Sequence, residues 1–318
     1  LWLGVNVLQM KLLCALFYGV TLACCGGSQG SQESVDAASQ PNSDANLASV
    51  DAAAAAADAA TSESTDFAVA GPFRVGETPG TITTEGCQLA YTLFSPAGAT
   101  SAPLVILGHG FSRGQAQMAG IARHIASFGS RVATPQFCHS SAFDTDHPQN
   151  GRDAAALGQA LAAGSDVLYA GQSAGGLAAV LAASLDANAV AILGLDLVDA
   201  DGLAASTAAN MTMPVFAMVG EPAQCNSNNN GVAVVQGAQQ WAARVTGATH
   251  CDFEDPTNGL CTAFCGGDGG GLPTIRTLAA AFVSWQLGLD ASGEAWSSPT
   301  GSEFQRLVGE GVLSSVSP

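Results

Sequence analysis

Positive charge is what this chain most lacks. Its 318 residues carry nine Lys and Arg against 26 Asp and Glu, a formal net charge of -17, and Lys11 is the sole lysine. So few cations cannot assemble a basic patch, which argues against nucleic acid as a partner. The acidity fits a salty or extracellular setting. The apolar stretch at residues 12–22 is about eleven residues long, short of the roughly 20 that a bilayer span needs. No internal repeat is visible, and no Cys-x2-Cys spacing of the kind structural zinc prefers. Apolar residues are not scarce: 47% are hydrophobic, enough for a substantial core in one large domain or two small ones.

The first residues read as a processing segment. With Met10 as the start, Met10-Lys11 gives a short positive region, residues 12–22 an apolar core, and small residues follow. Thr21-Leu22-Ala23-Cys24 resembles a bacterial lipobox, with Cys24 as the lipidated residue and Thr21 where Leu is usual. An ordinary secretory signal cleaved nearby is the alternative. Either way the expectation is export, as a lipoprotein attached to a membrane through Cys24 or as a secreted protein. Residues 1–24 are assigned to this signal and 25–66 to a disordered tether. The tether's Ser, Ala, Asn, Gln, Asp and Glu offer almost nothing to bury. A folded domain is expected over 67–290, with 291–318 as an extension that packs back or does not.

Nine cysteines are present. Setting aside Cys14, Cys24 and Cys25 leaves Cys87, Cys138, Cys225, Cys251, Cys261 and Cys265. An even number in an exported chain predicts up to three disulfides, with fifteen connectivities open. A metal site at Cys251, Cys261 and Cys265 is the weaker alternative, and no metal or organic cofactor is expected.

Apolar runs and turn signals alternate along the domain. Strands are expected at 81–83, 87–94, 103–108, 131–135, 166–170, 189–195 and 213–219. Helices are expected at 115–128, 151–163, 175–185, 232–245 and 275–287, with 196–210 an acidic connection and 226–230 a polar loop. This alternation predicts an α/β fold with a mostly parallel central sheet flanked by helices.

Gly171-Gln172-Ser173-Ala174-Gly175 lies between a strand and a helix, the setting of a nucleophile elbow. Asp196 follows the next strand and His250 comes later, in the chain order Ser, Asp, His. A serine hydroxyl attacks well only when a base takes its proton. His250 suits that role near neutral pH, and a carboxylate on its far nitrogen fixes the tautomer. Asp196 is the first choice of acid because it directly follows an apolar run. Asp199 and Glu221 remain alternatives near strand ends. Oxyanion donors are expected at the backbone N–H of Ala174 and of Phe111, which follows the strand ending at Gly108. His109 also sits at a strand end, but it precedes the serine.

Several segments resemble α/β-hydrolase esterases of the group that includes chlorophyllases, platelet-activating-factor-acetylhydrolase-like enzymes and cutinase-like polyester hydrolases. Gly108-His109-Gly110-Phe111, Ile125-Ala126-Ser127-Phe128-Gly129 and Val132-Ala133-Thr134-Pro135-Gln136 resemble chlorophyllase segments. The elbow is similar to Gly-His-Ser-x-Gly-Gly, with Gln172 in place of His. Leu193-Gly194-Leu195-Asp196-Leu197-Val198-Asp199 resembles the Gly-Leu/Ile-Asp-Pro-Val stretch, with Leu197 for Pro. His250-Cys251-Asp252-Phe253 is similar to the segment holding the family's histidine. The resemblance covers about residues 87–287. It implies the α/β-hydrolase fold and a serine carboxylesterase, expected to be a monomer, with Asp196 as the acid. A small or polymeric ester is the expected substrate. Polyester hydrolase, chlorophyllase-type esterase and a binding module that has lost catalysis are the alternatives.

Overall fold

A computed structural model describes residues 65–85, 87–98 and 102–316. The expected signal, Cys24 and all but the last two residues of the tether lie outside this range. The chain opens with an antiparallel pair, β1 (Val75–Thr84) and β2 (Cys87–Pro96). Then β3 (Leu104–Gly108), α1 (Ala119–Ala126) and β4 (Arg131–Pro135) follow. A small hairpin, β5 (Ser140–Ser141) and β6 (Asp144–Thr145), leads into α2 (His147–Ala162). After it come β7 (Val167–Gln172), α3 (Ala174–Leu185), β8 (Ala189–Leu195), α4 (Leu203–Ala208), β9 (Val215–Val219) and β10 (Gln240–Val245). The chain closes with α5 (Gly259–Cys265), α6 (Leu272–Gln286), α7 (Gly293–Ser297), α8 (Ser302–Gly309) and β11 (Leu313–Val316).

Nine strands form one sheet in the order β1-β2-β4-β3-β7-β8-β9-β10-β11. The run from β4 to β10 is parallel, and β1, β2 and β11 are antiparallel additions at the edges. Every residue of β3 and β7 is buried, as expected for strands covered on both faces. One face packs Leu107, Leu168, Leu193 and Phe216 against Ile121, Ile125, Leu278 and Phe282. The other packs Ile106, Tyr169 and Ile192 against Leu157, Leu177 and Val180. Each such side chain contributes about 1.5–3 kcal/mol by leaving water. This α/β architecture, a mostly parallel sheet between helices, is the one the alternating pattern predicts.

Local departures from the sequence reading have physical causes. The helix expected over 115–128 is a 3₁₀ turn (Gln115–Met118) followed by α1. α2 begins at His147, earlier than expected, because Asp146 caps the Gln149 N–H at 2.9 Å and Pro148 suits a first turn. The expected connection 196–210 contains α4. The helix expected over 232–245 is wrong: a 3₁₀ segment (Gln224–Val234) is followed by β10. Its Gln- and Ala-rich sequence favours helix locally. Pairing with β9 on one side and β11 on the other decides otherwise. The C-terminal residues are integral to this unit, because Phe304, Leu307 and Leu313 join the core and β11 completes the sheet.

Among the described residues six cysteines form three disulfides: Cys87–Cys138, Cys225–Cys265 and Cys251–Cys261. The sulfurs of Cys251, Cys261 and Cys265 lie within 4.8 Å of one another. All three are oxidised, so none offers the thiolate a metal site would need, and the metal alternative falls.

Candidate active site

The parallel strands deliver their C-terminal ends to one edge of the sheet, where three of the predicted side chains arrive. Ser173 joins β7 to α3 with φ 54° and ψ -123°. A non-glycine residue in such a region costs of order 1–3 kcal/mol and persists only when its surroundings impose it. Here they do. The Ser173 N–H donates to Leu195 O (3.0 Å), and the Ser173 carbonyl accepts from the N–H groups of Gly176 (3.0 Å) and Val198 (3.2 Å). The flanking glycines are required by contact: a Cβ on Gly171 would lie 2.2 Å from the Gly175 carbonyl, and one on Gly175 would lie 2.4 Å from Gly108 O.

Asp196 directly follows β8 with a positive φ of 47° and is fully buried. Its carboxylate accepts from the Gly220 N–H (3.0 Å), from the Asn226 amide (3.2 and 3.3 Å) and from His250 Nδ1 (2.6 Å). That last bond places the proton of a neutral His250 on Nδ1 and leaves a lone pair on Nε2. The Gln172 amide nitrogen lies 3.1 Å from Nε2. Among the described residues the Ser173 hydroxyl has no hydrogen-bond partner.

His250 is held from its own side. Its 3₁₀ turn (His250–Phe253) is closed by Asp252, whose carboxylate accepts from the N–H groups of Thr249 (2.7 Å) and Gly269 (2.8 Å). Cys251–Cys261 ties the turn to α5, and Cys225–Cys265 ties α5 to the loop bearing Asn226. In that loop Ser227, Asn228 and Asn229 all have φ of 50–61°.

The two other candidate acids have other work. The Asp199 carboxylate accepts from the Ala204 N–H (2.7 Å) and Ala205 N–H (3.0 Å) at the start of α4. Glu221 is half exposed; it accepts from the Gly247 N–H (2.9 Å) and lies 3.8 Å from Arg244. Neither contacts His250.

The loop after β3 lies against the serine: a Cβ on Gly110 would be 3.0 Å from Ser173 Cβ. His109 fixes this loop. Its Nδ1–H donates to Gly110 O (2.8 Å) and its Nε2 accepts from the Phe137 N–H (3.1 Å). Burial pushes its pKa down to about 4, so the ring stays neutral near pH 7. The planar trans peptide then turns the Phe111 N–H away from that ring. Among the described residues neither the Phe111 nor the Ala174 N–H donates a hydrogen bond. Arg113 braces the loop through Glu254 (2.5 and 2.6 Å) and Asn258 (3.2 Å).

No known family model matches this chain, and no characterised protein matches it. The site must stand on its own residues. It offers a serine on a strained turn, a buried imidazole paired to a buried carboxylate, and two backbone donors free to meet an anion. The roles of His109 and Asn226 were not legible in the sequence. His109 comes before the serine, and Asn226 lies in an Asn-rich stretch with no motif. A separate cavity of about 330 Å³, lined in part by Phe73, Arg123, His124 and Arg276, shares no residue with this cluster. Its two arginines are already paired with Glu77 and Asp255.

Proposed function

We propose that this chain is a serine carboxylesterase with the α/β-hydrolase fold, acting through an acyl-enzyme. The observation that carries this reading is the 2.6 Å bond from His250 to buried Asp196 at the strand edge where the Ser173 turn sits. Ser173 Oγ attacks the ester carbonyl carbon while His250 Nε2 takes its proton. Asp196 stabilises the imidazolium so formed. The Phe111 and Ala174 N–H groups receive the oxyanion. Collapse expels the alcohol, which takes the proton from His250. Water then attacks the acyl-enzyme and gives its proton to His250; collapse breaks the bond to Ser173 Oγ, which takes that proton back, and the acid product leaves.

Esters of moderate size, or an accessible polymer end, suit this reading. No metal or organic cofactor has a part in it. Export is proposed with it, as three disulfides persist best in an oxidising compartment. Attachment through a lipidated Cys24 belongs to the same proposal. The test is hydrolysis of p-nitrophenyl acetate: turnover by the wild type that falls to the uncatalysed rate in Ser173→Ala supports it. Turnover that survives the substitution removes Ser173 as nucleophile.

A further inference from the structure

Gln172 ends β7 and is almost completely buried. Its amide nitrogen faces two acceptors, His250 Nε2 (3.1 Å) and His250 O (3.5 Å). With Nδ1 protonated against Asp196, both groups require a donor, which settles the amide's orientation. The Gln172 Oε1 is then left buried without a partner. It faces Gly110, where a Cβ would lie 2.3 Å from it. Every bond this side chain amide makes is to the histidine.

We propose that Gln172 is a positioning residue for His250: it holds the imidazole in a resting orientation and competes with Ser173 for the lone pair on Nε2. This rests on the esterase reading. A ring bonded at Nδ1 to Asp196 and at Nε2 to Gln172 cannot rotate without breaking one of the two bonds. The Gln172 NH₂ favours the unprotonated Nε2 and opposes the imidazolium, whose own N–H would meet it. When Nε2 takes the serine proton, the amide must withdraw or turn its Oε1 to accept from the new N–H. The unpartnered oxygen is the group available for that second state.

Charged groups on the elements around His250 are few. Asp196 is in contact. Asp252 is occupied by backbone N–H groups, Arg113 is paired with Glu254, and Glu221 is half exposed beside Arg244. His109 stays neutral down to about pH 4. Among the described residues, Asp196 is thus the charged side chain hydrogen-bonded to the imidazole that Gln172 also holds.

The experiment is the pH profile of kcat/KM for p-nitrophenyl acetate in wild type, Gln172→Met and Gln172→Glu, with melting temperature recorded for each. Met keeps the shape and loses the donor. Its acid limb should move to higher pH by roughly half to one unit, a three- to tenfold loss on that limb relative to the plateau. Glu should move the limb further the same way, since its carboxylate accepts from the protonated ring. If either variant fails to fold, the other carries the test, and Gln172→Asn, too short to reach Nε2, should follow Met. An unmoved limb, or a loss uniform across pH, overturns the inference and leaves the esterase reading standing. A wild type without turnover overturns the esterase reading, and this inference with it.

Discussion

Asp196 is proposed as the acid on its contacts more than on its place in the chain. Three candidate carboxylates lie near strand ends, and only this one has both complete burial and the imidazole as a partner. Asp196→Asn should lower kcat/KM by roughly 10³–10⁴-fold, because an amide cannot stabilise the imidazolium and favours the wrong tautomer. Glu221→Gln should stay within about threefold. Ester kinetics on the two variants check this, and the reverse ranking contradicts it. His109 gives a stability prediction. Its folded pKa of about 4 lies below the ordinary histidine value of 6.5, so between these values the unfolded chain binds more protons. Its stabilising contribution is complete above about pH 6.5, declines as pH falls toward 4, and is then flat. About 3 kcal/mol is at stake. Burial lowers the pKa of His124 and His147 as well, which adds to the same slope. His109→Gln should flatten part of the decline in urea midpoints between pH 6.5 and 4; an unchanged slope contradicts this account of the loop.

Elements were legible where the local signal and the tertiary pairing agree. The runs at β3, β7 and β8 are apolar enough to read as buried strands, and the glycines of the elbow announce a turn. Positions that depend on distant partners were not legible. Gln240-Trp241-Ala242-Ala243-Arg244-Val245 has no strand alternation and becomes β10 only between two neighbours. The loop carrying Asn226 looks like any polar turn until Cys225–Cys265 and the Asp196 carboxylate are seen to fix it. The C-terminal residues carry Trp296, Phe304, Leu307 and Leu313, and the helical spacing of Phe304, Leu307 and Val308 does not say which part of the chain they pack against. Because β11 covers the edge of β10, deleting residues 291–318 should abolish folding. Phe304, Leu307 and Leu313 alone bury apolar surface worth about 2 kcal/mol each, comparable to the whole margin of many domains. The deletion would also expose an unpaired strand edge. Circular dichroism of the truncated chain checks this: a cooperative melt near the wild-type temperature contradicts it.

At the scale of the molecule, the sheet collects at one edge what the sequence spreads over 140 residues, from Phe111 to His250. α5, anchored by two disulfides, braces the His250 turn on one side and the loop of Asn226, which donates to Asp196, on the other. The few arginines are largely committed to ion pairs, Arg113 with Glu254 among them. The surface is left acidic, which suits a neutral ester better than an anionic one. We propose that Ser173 is a nucleophile activated by the folded site. The most direct measurement is intact-mass and peptide analysis after treatment with a fluorophosphonate. One covalent adduct per chain, on Ser173, formed by the folded protein and lost on denaturation beforehand, is the predicted result. A folded protein that takes up no adduct at Ser173 contradicts it.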